Sequence, residues 1–241
     1  MTVLGFIPSC LLIALLGLLI GRGVNRTLPA FFIYVGFAVI ADLARFAVRN
    51  HAAAYYGTYY ITEAGYDLLG ILVMYEAMRS VLAGLGQARW GRVAFPAVVL
   101  AAVLLSLARV SAAPDQFSRR MAFFILRGEV AARFVQVMVF AGLVTLVPLL
   151  GMRWRQHSFG VATGFGLYST VMLLTTVKFS DFGTSFTFLW GLTSLVAYSV
   201  TVIIWIWFFA VAQKSDTPNS GLPIPPPGDL TRYKDVLKRM R

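Results

Sequence analysis

The chain has 241 residues, 59% of them hydrophobic and only 13% charged, with a formal net charge of +11. Soluble domains carry roughly 25% charged residues, so this composition excludes an ordinary soluble globular protein and points to an integral membrane protein. The basic excess is spread over short connections between apolar runs, a pattern that membrane topology explains and nucleic-acid binding does not.

Seven apolar segments are long enough to cross a bilayer, at about 3–20, 30–49, 58–82, 93–110, 124–151, 158–178 and 185–212. The expected fold is all-α, a polytopic bundle of seven transmembrane helices, because a helix satisfies its own backbone polar groups in lipid. The runs do not alternate as barrel strands would. Thirteen basic residues, among them Arg22, Arg26, Arg79, Arg153 and Lys214, fall on one side of this topology and eight on the other. That bias predicts an outside N-terminus and a cytoplasmic C-terminus in a plasma (inner) membrane. Domain organisation follows: residues 1–213 as the bundle, 214–228 as a Pro-rich linker, and 229–241 as a short basic amphipathic helix suited to anionic lipid headgroups.

In segment 1, Gly17 and Gly21 have GxxxG spacing, which permits close helix approach. Cys10 is the single cysteine and excludes an internal disulfide. In segment 2, Asp42, Arg45 and Arg49 fall at i, i+3 and i+7 and share a face. They form either an internally paired helix terminus or an acid-base patch on an outward-facing cavity. The connection HAAAYYGTYY is short, so segments 2 and 3 are antiparallel neighbours whose charged halves meet.

Segment 3 carries Glu63, Asp67 and Glu76. A charge near the middle of a spanning helix costs at least about 2.5 to 3.5 kcal/mol, so it is paired, solvated in a cavity or protonated. Glu63 and Asp67 share a face. Glu76 lies about 180° around from Asp67 and is expected to pair with Arg79. Asp67 needs a partner, and Arg45, Arg133, Tyr66 and Tyr168 are the candidates. Paired with Arg45 it is a structural clasp; in a wet cavity it is a proton or cation site.

Segment 4 is featureless apart from Pro96. Segment 5 is interrupted by Arg127, Glu129 and Arg133, and the i, i+4 spacing of the last two predicts a local salt bridge. Residues 118–127 are either a separate interfacial helix or an outward extension of the spanning one. Segment 6 is rich in small and hydroxyl residues, with Gly160 and Gly164 in GxxxG spacing, and reads as an interior helix. In segment 7, Trp190, Ser194, Tyr198 and Thr201 form one stripe, expected in core packing, while Trp205 and Trp207 are expected at a membrane interface.

The stretch YYITEAGYDLLGILVMYEAMRSVL resembles the third helix of small seven-helix bacterial membrane proteins, which carry a Glu early and a Tyr-Glu pair late in that helix. Here those residues are Glu63 and Tyr75-Glu76. The resemblance covers one helix and implies no activity.

Two histidines on opposite faces, and no nucleotide-binding or zinc motif, give no reason to expect a cofactor, a metal or an enzyme. The leading expectation is a non-enzymatic sensor or receptor-like module. Its outward-half cavity, built on Asp42, Arg45, Glu63, Asp67, Glu129, Arg133 and Tyr168, recognises a small ligand or a partner. The alternatives are a proton- or cation-coupled transporter using the intramembrane carboxylates, although no internal repeat is evident, and a structural subunit of a membrane complex. The expected partners are lipid and either another membrane protein or further copies of the chain.

Overall fold

The computed structural model describes residues 6–83, 95–101, 104, 117–149, 157–182 and 187–211. Among them every regular element is helical: α1 (Phe6–Gly21), a 3-10 turn (Val24–Arg26), α2 (Pro29–Ala47), α3 (Ala52–Ala83), α4 (Phe117–Leu149), α5 (His157–Phe182) and α6 (Thr187–Ala210). These are segments 1, 2, 3, 5, 6 and 7 of the sequence. Residues 95–101, at the start of segment 4, are also helical. The chain divides into two units, Met1–Ala210 and Val211–Arg241. The linker and tail helix expected at 214–228 and 229–241 lie outside the described residues, as do the loops carrying Arg89, Arg92, Arg153 and Arg155.

Two helices are longer than their apolar runs. α3 starts at Ala52, so most of the expected connection HAAAYYGTYY is its first two turns; three consecutive alanines favour helix there. α4 is continuous from Phe117 through 33 residues, so residues 118–127 extend the same helix and do not form a separate one. At 1.5 Å per residue both run to about 50 Å, well beyond the roughly 30 Å of a hydrocarbon core. The corner between α1 and α2 is made by Gly23, whose φ of 64° is a conformation that side chains disfavour.

Among the described residues the bundle has an apolar core with a few polar side chains set into it, and an apolar exterior. Thr62, Arg133, Gln136, Ser158, Ser169 and Thr201 are buried, whereas Ile33, Ile40, Leu43, Leu68, Leu72, Leu174, Ile203 and Trp207 are exposed. In water each exposed aliphatic side chain forgoes about 1.5 to 3 kcal/mol of burial; against hydrocarbon it forgoes nothing. Four helical stretches, Pro29–Ala47, Arg127–Thr145, His157–Thr175 and Gly191–Ala210, are long and apolar enough to cross a membrane. α3 is not among them because its four charges, Glu63, Asp67, Glu76 and Arg79, lower its hydropathy.

Small residues set the helix contacts, as expected where lipid supplies no hydrophobic drive between helices. Gly160 lies against Phe208 and Gly164 against Trp205 of α6, while Gly166 lies against Phe140 of α4; a methyl group at any of the three would collide. Nothing among the described residues lies within 4 Å of where a Cβ would stand on Gly17 or Gly21, so the GxxxG spacing in α1 makes no close approach to them. Trp205 is not an interface residue. It is fully buried, 5.1 Å from the Phe31 ring and 5.0 Å from Phe165, and its indole donates to the Val161 carbonyl at 3.3 Å. Trp207, two residues on and so on another face, is exposed as expected.

Two charges close helix ends. Glu76 accepts the backbone N–H groups of Ala30 and Phe31, each at 3.1 Å. Leu28, at the N-cap of α2, has no side chain able to do this, so a carboxylate from α3 satisfies two donors that every helix start leaves open and also meets the positive end of the helix dipole. The expected Glu76–Arg79 pair is absent among the described residues; two aligned N–H groups hold the carboxylate instead. At the end of α6, the Arg22 guanidinium donates to the Ala210 carbonyl at 2.8 Å, the complementary arrangement for a helix C-terminus.

Candidate functional site

The site lies in the half of the bundle next to the α2–α3 connection, and its depth is set by how α3, α4 and α5 stack. Gly70 lets α3 come close to both other helices: a Cβ there would lie 2.6 Å from Gln136 Nε2 and 3.7 Å from Phe165. Beneath the site, the Ser169 hydroxyl donates to the Gln136 side-chain oxygen in a fully buried pair. One turn toward the α2–α3 connection, the same three helices present Asp67, Arg133 and Tyr168. One turn further, α3 and α4 present Glu63 and Glu129.

Each arginine of the cluster is taken by a carboxylate. Arg45 of α2 reaches across to α3, where its guanidinium lies 2.9 Å from Glu63 Oε1 and its Nε 2.8 Å from the Thr62 hydroxyl. Thr62 donates its own proton back to the Thr58 carbonyl at 2.8 Å, which leaves its lone pairs facing Arg45. Tyr59 and Tyr66 flank the guanidinium, with ring centroids 4.9 and 5.5 Å away. On α4, Arg133 pairs with Glu129 of its own helix, its Nε at 3.1 Å from the carboxylate, and lies 5.0 Å from the Tyr168 ring centroid. The i, i+4 salt bridge expected from the sequence is therefore present. Around it are tyrosines from several helices: Tyr34 against Tyr66 at 5.8 Å and Tyr168 against Tyr198 at 5.8 Å.

Asp67 has no hydrogen-bond or ion-pair partner among the described residues. The charges that act on it are those of Glu129, Arg133 and Glu63. The clasp between α2 and α3 exists, but Glu63 and Thr62 make it with Arg45, not Asp67. Of the other expected partners, Tyr66 donates to the Ala38 carbonyl at 3.4 Å and Tyr168 serves Arg133. Asp42 also departs from expectation. It accepts a 2.6 Å hydrogen bond from Ser9 of α1 in place of pairing with Arg45, and Arg49 lies over the Phe46 ring at 4.1 Å. The face shared by Asp42, Arg45 and Arg49 is thus divided among three different neighbours.

Of the seven residues singled out in the sequence, the structure gathers Arg45, Glu63, Asp67, Glu129, Arg133 and Tyr168 into one mixed cluster and ties Asp42 to α1. Ser169 makes the kind of interhelical hydrogen bond expected of the segment 6 hydroxyls, whereas sequence reasoning missed Thr62, Tyr34, Gln136 and the role of Tyr198. The buried Tyr198 hydroxyl has no partner among the described residues. The polarity of Gln136 in an apolar run was a usable signal for that position. Nothing in the sequence marked Thr62 out from the other hydroxyls. Among the described residues, no three His, Cys, Asp or Glu side chains are placed to share a metal ion. An apolar groove of about 410 Å³ adjoins the cluster at Tyr168 and runs between α5 and α6, lined also by Leu167, Val171, Leu192, Val196 and Val200.

A bundle whose described elements are all helical, with an apolar exterior, partly buried ion pairs and four helices long and apolar enough to span a bilayer, belongs to the class of membrane proteins. Comparison with protein-family models, with curated proteins and with solved structures gave no match.

Proposed function

We propose that this chain is a non-enzymatic sensor or receptor-like module of seven spanning helices, with its N-terminus outside, its C-terminus cytoplasmic, and the mixed-charge cluster in its outward half recognising a small ligand. The observation that carries the reading is Asp67. It sits at the middle of a 32-residue helix, in a cluster whose other acids are each held by an arginine, yet it has no partner of its own among the described residues. An intramembrane carboxylate is costly and is kept for a purpose, and the one left open is the one with capacity to bind. The orientation is supported by the distribution of basic residues. Arg45 and Arg133, two of the eight on the outward side, are taken up by acids within the bundle, which strengthens the bias toward the cytoplasmic side.

The same free carboxylate favours a second reading, proton- or cation-coupled transport with Asp67 as the carrier. One experiment separates the two. Proton and cation flux into proteoliposomes is measured for the wild type and Asp67→Asn across pH 5 to 8, alongside thermal unfolding of both proteins with a ligand panel. Flux abolished by the substitution makes the chain a transporter. Absent flux, with ligand-induced stabilisation that Asp67→Asn removes, is the outcome expected of a receptor. Neither response in a wild type that folds normally rules out both.

A further inference from the structure

Among the described residues the cluster sets three acids against two paired arginines. The acids are Glu63, Asp67 and Glu129; Arg45 and Arg133 are paired with Glu63 and Glu129. Two of the three charges acting on Asp67, those of Glu129 and Glu63, are negative. Arg127 is not one of those three and has an interaction of its own. One flank of the Asp67 carboxylate is bounded by Gly128 of α4. A Cβ built there would lie 3.9 Å from Asp67 Oδ2 and meet nothing closer, and Gly128 is exposed. The carboxylate is therefore approached over a residue with no side chain, from the surface of the bundle.

We propose that the flank of Asp67 beside Gly128 is the docking place for a single organic cationic group, an ammonium or guanidinium carried by a small ligand. This rests on the reading of the cluster as a recognition site and names the chemistry of what it recognises. The cluster already holds two guanidinium groups in this way, each against a carboxylate and a tyrosine face; a third cation would complete the same pattern. A divalent metal fits less well, since the described acids do not converge on a common point.

The test supplies a third cation in two ways. First, thermal unfolding of the full chain in detergent is followed with methylammonium, guanidinium, potassium or neutral acetamide at matched ionic strength. Second, Gly128→Lys tethers an ammonium beside Asp67, and Gly128→Gln controls for the gain in helix propensity. The expected result is a saturable rise in Tm with the two organic cations that Asp67→Asn abolishes. Gly128→Lys should melt higher than Gly128→Gln, the difference should vanish in an Asp67→Asn background, and the lysine variant should no longer respond to methylammonium. Gly128→Lys melting no higher than Gly128→Gln, while the cations still act through Asp67, overturns the docking place. An Asp67-dependent response to acetamide or potassium but not to the organic cations overturns the cation class and leaves recognition at Asp67 standing. No Asp67-dependent response to any probe, with the two Gly128 variants alike, removes both.

Discussion

Arg133 shows how much rests on single side chains in this bundle. Its charge is buried, and Glu129 and the Tyr168 face are what make that tolerable. Removing one partner of a buried pair strands the other, at a cost of about 3 to 5 kcal/mol, whereas replacing both by residues of similar volume is often close to neutral. Arg133→Ala is therefore expected to lower the denaturation midpoint in detergent far more than the double replacement Arg133→Met with Glu129→Gln. Equal losses from the single and double variants would show that the pair is not what holds Arg133. Glu76 makes a different prediction. Its carboxylate caps a helix that lacks a cap of its own, so Glu76→Ala should cost about 1 to 2 kcal/mol, and the destabilisation should appear as faster amide exchange in the first turn of α2. Arg79→Ala, which removes the partner expected from sequence, should leave that turn unchanged.

At the scale of elements, glycine separates two GxxxG motifs that look alike in the sequence. In α5, Gly160 and Gly164 are pressed against Phe208 and Trp205; in α1, Gly17 and Gly21 meet nothing among the described residues. Gly164→Leu forces Trp205 out of an aromatic stack that also holds Phe31, Tyr34 and Phe165, and overpacking of this kind costs about 1 to 3 kcal/mol or more. Gly17→Leu should change stability by less than about 0.5 kcal/mol. Comparing the melting temperatures of the two variants checks the assignment, and a large loss from Gly17→Leu would mean that α1 packs there against something other than the described residues. The spacing alone could not make this distinction, because GxxxG states which residues are small and not what stands opposite them. The same limit applied to Asp42, Arg45 and Arg49. Their shared face was legible from the 3.6-residue period, but their partners Ser9 and Glu63 come from other helices, and Asp42 with Arg45 is only the nearest pair along the chain.

For the whole molecule, the membrane class was legible from composition, and the described helices agree with it: large apolar side chains cover the exterior as well as the core, and four helices are long and apolar enough to span a membrane. The proposed orientation has a direct check. A fluorescent reporter fused to the C-terminus should fold and fluoresce in the cytoplasm while an alkaline phosphatase fusion at the same point stays inactive; the reverse pattern would falsify the orientation and move the Asp67 cluster to the cytoplasmic half.

Local periodicity and hydropathy were enough to find the helices, the Glu129–Arg133 pair and most members of the cluster, since those depend on neighbours within a turn or two and on the solvent around the chain. Only the tertiary structure decided that Arg45 serves Glu63 and not Asp67, that Glu76 caps α2 and that Trp205 is core. Each of these is a contact between residues far apart in the chain, and which of several chemically suitable partners a buried charge takes is decided by helix packing distances that no local pattern carries.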